Sequence, residues 1–85
     1  MEIGPFLREK RKQAGYSLSE ASQAIRAKKD TVCNWERNLA TPRPQYVKKM
    51  LELYGFTLDE YLEAYRESLM RTVDKSVSRM RRRAS

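Results

Sequence analysis

The sequence predicts an all-α fold of five helices, the last of them extended, and three observations carry that prediction. Apolar residues recur at intervals of three and four along most of the chain, the spacing that gathers them on one face of a helix. No stretch alternates apolar and polar residues as a half-buried strand would. Helix punctuation falls between the periodic stretches: Gly15 and Gly55 read as stops, and Ser17 with Glu20 and Thr57 with Glu60 read as capping boxes.

The first helix is predicted over residues 3–13. Ile3, Phe6 and Leu7, followed by Ala14, supply its apolar stripe, and Pro5 sits in the first turn, where a missing N–H costs nothing. The second starts at the Ser17 cap and ends near Ile25, with Leu18, Ala21, Ser22 and Ile25 on one side. Arg26, Ala27 and Lys28 make a tight connection to a third helix over about 29–37, whose inward edge is Val32 and Trp35. Residues 38–44 contain two prolines and no period, so they form a loop. A fourth helix over about 44–54 opens on Pro44 and carries Val47, Met50, Leu51 and Tyr54 on its stripe. Gly55 provides its left-handed exit. After Thr57 no glycine or proline occurs, and apolar residues continue at Leu58, Leu62, Tyr65, Leu69, Val73, Val77 and Met80. Their mean spacing of about 3.67 keeps them on one face of a straight helix from about 58 to near 80, with Arg79 to Arg83 fraying into a cationic tail. The preceding domain is expected to cover the first two or three of these positions, and the rest need a partner.

Size and composition exclude several classes of function. The chain has 85 residues, 18 basic and 11 acidic side chains, one cysteine and no histidine. A chain this short makes one module and buries about 60% of its unfolded surface, too little to wall a deep enzymatic cleft. Its mean hydropathy of −0.82 leaves no run of about 18 apolar residues for a membrane span. The lone Cys33 cannot form an internal disulfide, no histidine offers a zinc ligand, and the N-terminal residues lack the apolar stretch of a signal peptide. No carboxylate pair converges and no serine has a base at recognisable spacing, so an enzyme is not expected. The expectation is a cytoplasmic protein with no metal, no cofactor and no membrane contact. Charge is unevenly spread: residues 1–50 carry 11 basic against 5 acidic side chains, residues 51–70 one against five, and residues 71–85 six against one. A basic body, an acidic collar and a basic end suit a polyanion-binding face with a cationic tail.

Two short helices joined by three residues, the second with Val32 and Trp35 turned inward, form a helix-turn-helix over residues 18–37, the unit that sets one helix into the DNA major groove. The runs IGPFLREKRKQAGYSLSEASQAI, DTVCNWERN and YGFTLDEYL, at mutually consistent spacing, resemble the Cro/repressor (Xre-like) family of bacterial and phage DNA-binding domains over about residues 3–62. The resemblance implies a lambda-repressor-like helix-turn-helix domain over residues 1–62. It leaves residues 63–85 as a helical extension and basic tail that serves dimerisation. The chain departs from the family at Arg26, where glycine is usual, at Lys28, where a Ser or Thr cap is common, and at Leu18, where glutamine is frequent. Arg26 is therefore expected in a left-handed conformation, at about 1–2 kcal/mol.

Geometry selects the face of the third helix that would read DNA. With Val32 as reference and about 100° per residue, Asp30, Asn34 and Arg37 fall about 140–200° away from the core, Thr31 and Cys33 flank them, and Lys29 lies in the first turn. The family's base-reading positions, carried over, are Lys29, Asp30, Cys33 and Asn34, in agreement with that face. Asn can bind adenine at N6 and N7, Lys can donate to guanine, and Asp can accept from cytosine N4 while repelling phosphate. Cys33 has no second ligand or base beside it in sequence, which argues against a reactive role. By resemblance, Ser17, Thr31, Asn38, Thr41 and Arg43 are the candidate phosphate contacts, and the outward angle of Arg37 adds it to them. Lys10, Lys12, Lys48 and Lys49 read as solvated surface charge. The resemblance also implies an ion pair between Arg11 and Glu36, tying the first helix to the third.

The function these features predict is a sequence-specific DNA-binding transcriptional regulator, of repressor or phage and mobile-element switch type. It would act as a homodimer on double-stranded DNA at a palindromic operator, joined through Tyr65, Leu69 and Val73. The alternative is an autoregulating antitoxin whose residues 63–85 engage a protein partner, the toxin. A toxin-binding tail would order on its partner, whereas the apolar stripe predicts a preformed helix.

Overall fold

A computed structural model describes residues 1–84, with side chains described through Arg71. Its elements are α1 (Ile3–Gln13), α2 (Leu18–Ile25), α3 (Lys29–Glu36), α4 (Pro44–Tyr54) and α5 (Leu58–Ala84), and there is no strand among the described residues. The chain is all-α with five helices. α3 ends at Glu36, one residue short of the expected boundary. α5 extends to Ala84 rather than ending near residue 80, and no glycine or proline interrupts it.

The core forms where the stripes of α1 to α4 meet. Leu7, Ile25, Val32 and Met50 are its largest fully buried side chains, closed over by Ile3, Phe6, Trp35, Val47 and Tyr54. Each such side chain contributes about 1.5–3 kcal/mol when fully buried. The α1 stripe departs from the sequence reading at its end: Ala14 is exposed, and the inward position after Leu7 is held by buried Arg11. Phe56, in the short link between α4 and α5, is buried edge-on against Phe6 with ring centroids 5.2 Å apart and stacks on Tyr61 at 6.2 Å. These rings seat the base of α5 on α1.

The face that α5 turns toward the domain is not its most apolar one. Tyr61 and Ala64 are buried at 6% and 4% exposure, and Ser68 follows one turn on. Leu58, Leu62, Tyr65 and Leu69 remain 53%, 50%, 41% and 50% exposed. The expectation that the domain covers the first positions of the Leu58-to-Met80 stripe is thus corrected: the stripe is bare from its first residue. The reason is angular. Tyr61, Ala64 and Ser68 lie about 90° round the helix from the leucines, and their smaller members let the start of α1 approach. Val73, Val77, Met80 and the arginines of the tail lie outside the described side chains.

Candidate nucleic-acid interface

The angle between α2 and α3 is set by the segment joining them. Ser17 opens α2 with a complete capping box: its hydroxyl accepts from the Glu20 N–H at 3.1 Å, and the Glu20 carboxylate accepts from the Ser17 N–H at 3.1 Å. The Ser17 backbone N–H, with the Ser17 side chain second, stabilises the charged carboxylate and holds Glu20 below the usual carboxylate range. At the far end Arg26 takes the left-handed conformation (φ 62°, ψ 42°), and the Ala27 N–H returns to the Ser22 carbonyl at 3.0 Å. Lys49, expected to be solvated, reaches from α4 to donate to the Ile25 carbonyl at 3.3 Å, placing a cation at the negative end of α2. With Ala21 and Ile25 packed among Val32 and Trp35, α3 is fixed with its opposite side outward.

On that outward side Lys29, Asp30, Asn34 and Arg37 are exposed, while Thr31 and Cys33 are half-buried at its edges. Cys33 is a free thiol. Ser17 is exposed at the start of α2, and Thr41 and Arg43 are exposed in the loop after α3. Asn38 differs from the other candidate phosphate contacts. It adopts φ 59° just past α3, its Oδ1 accepts from the Gly4 N–H at 2.8 Å, and its Nδ2 donates to Glu2 Oε2 at 3.3 Å. The residue is exposed, and its amide is also engaged within the protein.

Arg11 grips Glu36 with two parallel bonds, Nε to Oε2 at 2.8 Å and Nη2 to Oε1 at 3.0 Å, and donates a third to the Tyr16 carbonyl at 2.9 Å. The bond to Glu36 raises the Arg11 pKa above its ordinary value, against the opposing effect of burial. The remaining ion pairs among the described residues join the start of the chain or α1 to α5: the Met1 amine to Glu67, Lys10 to Glu60 at 3.1 Å, and Glu2 to Arg71 at 2.8 Å. None of the described carboxylates pairs with Arg26, Lys28, Lys29, Arg37 or Arg43. The positive charge along α3 and its flanks is therefore left unneutralised, with Asp30 the single acidic residue on the outward face.

The model of the family described as "Helix-turn-helix" matches residues 7–61. The chain belongs to the helix-turn-helix family. The HTH-type transcriptional regulator ImmR of Bacillus subtilis (strain 168) is 31% identical to it over 62 residues, 73% of this chain and 49% of the relative. The chain thus spans about half the length of that curated relative. No solved structure matches it. Within the helix-turn-helix match, α2, the Arg26 turn and α3 all fall inside the shared segment, while the first six residues and α5 beyond Tyr61 lie outside it.

Two contributors to the site escape a reading of its motifs. Gly4 lies so close to the end of α3 that a Cβ there would stand 2.5 Å from the Glu36 carbonyl oxygen. A glycine in the first turn of a helix is unfavourable by propensity and was itself the available signal. Lys49 gave none, since its contact with α2 depends on how α4 crosses it.

Proposed function

We propose that this protein is a sequence-specific DNA-binding transcriptional regulator that acts as a homodimer on a palindromic operator, in the manner of a repressor or a phage or mobile-element switch. α3 enters the major groove; Lys29, Asp30, Cys33 and Asn34 face base edges, and Ser17, Thr31, Arg37, Thr41 and Arg43 face phosphates. The observation that carries this reading is the division of charge. Carboxylates pair with cations on the α1 and α5 side and inside the Arg11–Glu36 clasp, while the cations around α3 stay open to a polyanion. Asn38 acts here from behind, holding the end of α3 to α1. The exposed Leu58, Leu62, Tyr65 and Leu69 of α5, followed in the sequence by Val73, are the surface for the second copy. Two such surfaces related by a twofold axis would set the recognition helices about one DNA turn apart.

Selection of bound sites from random duplexes tests the reading, with a symmetric pair of half-sites at fixed separation as the expected product. On that site Asn34→Ala and Lys29→Ala each cost roughly 1–3 kcal/mol and relax the preference at one base pair. Arg43→Ala weakens all sequences alike and lowers the salt slope by about one. Equal losses on selected and random DNA for Asn34→Ala would remove α3 from base reading.

A further inference from the structure

The first turn of an α-helix carries N–H groups with no partner inside the helix, and they must be satisfied from outside. In α1 the cap residue Glu2 makes no side-chain cap bond. The Ile3 N–H goes instead to Ser68 Oγ on α5 at 3.0 Å, and the Gly4 N–H goes to Asn38 Oδ1 at 2.8 Å. Pro5, next in line, has no N–H. Two adjacent peptide groups thus hold the arm that leaves the domain and the residue that ends the recognition helix. Glu2 closes the triangle, its Oε2 accepting from Arg71 Nη1 at 2.8 Å and from Asn38 Nδ2 at 3.3 Å. Only glycine at position 4 permits this seating, because a Cβ would stand 2.7 Å from Asn38 Oδ1 as well as 2.5 Å from the Glu36 carbonyl. Glu2, Gly4, Ser68 and Arg71 lie outside the matched residues 7–61, while Asn38 lies within them.

We propose that Glu2, Asn38, Ser68 and Arg71 are positioning residues that determine which half-site spacing the protein accepts, by locking the direction of α5 to that of α3. The proposal rests on the dimeric reading above. α5 packs on α1 and α1 on α3, so the direction of the arm reaches the recognition helix through the start of α1. In a twofold dimer joined along α5, the separation of the two recognition helices is inherited from the angle between α5 and α3 within each protomer. A locked angle accepts one spacing. A junction cut at Ser68 or Asn38 lets that angle vary and accepts several.

The test uses the full chain and palindromic duplexes built from the selected half-site, with one base pair added to or removed from the spacer. The wild type loses roughly tenfold in affinity for either change. Ser68→Ala, and Asn38→Gly, which keeps the positive φ while deleting the amide, bind the series within about threefold while still discriminating the half-site sequence. Arg71→Ala, at a largely exposed position, repeats the measurement without threat to folding, and thermal melts accompany all three. A spacing-selective wild type whose variants, Arg71→Ala included, keep the full penalty overturns the proposal and leaves the dimer intact. A wild type indifferent to spacing removes the dimeric reading and the proposal with it.

Discussion

Arg11 stands where an apolar residue would continue the α1 stripe, and its guanidinium exchanges hydration for three bonds, two to Glu36 and one to the Tyr16 carbonyl. The net worth of such a pair is small, because desolvation consumes most of the attraction. Its loss is another matter, since a lone charge would remain against the core. Both side chains are about nine-tenths buried, and the hydroxyl of neighbouring Tyr54 is buried with no hydrogen-bond partner among the described residues, its pKa pushed up to about 12 mainly by burial. Glu36→Ala is therefore expected to destabilise the fold by about 3 kcal/mol, whereas Arg37→Ala, next to it and exposed, changes stability by less than about 0.5 kcal/mol. Denaturant melts of the two variants separate these outcomes, and a larger loss for Arg37→Ala would mean the helix is rotated from the register described. The pairing of Arg11 with Glu36 followed from a family resemblance and its bond to the Tyr16 carbonyl did not, while the outward set on α3 followed from a period of 3.6 and one inward tryptophan. Asn38 did not follow from either: its sequence neighbours mark a loop, and its partner at Gly4 is 34 residues away.

At the scale of elements, caps and stripes were legible because they are local. Ser17 with Glu20 and Thr57 with Glu60 form the bonds their spacing implies, and both carboxylates have pKa values below the ordinary 4.5, chiefly through backbone hydrogen bonds at Ser17 and Thr57. A depressed folded pKa gives stability that is present above the unfolded value and disappears as pH falls through the folded one. Each box thus supports its helix at neutral pH and weakens below pH 4.5. Glu20→Gln, which removes the titrating carboxylate, should lower the denaturant midpoint at neutral pH and flatten its acid dependence, and an unchanged acid slope would deny Glu20 its part. Arg26 is the element-scale cost: an L residue with a Cβ held at φ 62°. Arg26→Gly is expected to stabilise the fold by about 1 kcal/mol in urea melts, and the same change removes an unpaired cation beside α3. The orientation of α5 was not legible, because it depends on which stripe α1 can accommodate. Hydrophobicity favours the leucines, but the start of α1 needs the flat surface of Ala64 and a hydroxyl at Ser68.

For the molecule as a whole, α5 is about 40 Å long and carries its most apolar side chains away from the domain. Leu58, Leu62 and Tyr65, with Pro42, Pro44, Val47 and Leu51 of the facing loop and α4, line an open apolar groove of about 530 Å³. The stripe and the groove share Leu58, Leu62 and Tyr65, so the surface proposed for a second copy begins at α4 rather than at Tyr65. Truncation after Glu63 would remove this arm, but it would also remove Ser68 and Arg71, which satisfy the start of α1; loss of dimer and loss of fold would then be confounded. Leu62→Lys with Leu69→Lys avoids this, because both leucines are half-exposed and contribute little to the protomer. The doubly substituted chain is expected to keep its melting behaviour within about 0.5 kcal/mol of the wild type and to sediment as a monomer. A monomer covers half as many phosphates, so its affinity for the selected palindrome should fall with a salt slope about half that of the wild type. If the substituted chain remains a dimer at equilibrium, the interface lies away from α5. If the wild type is itself a monomer at concentrations that saturate DNA, the exposed leucines serve another partner.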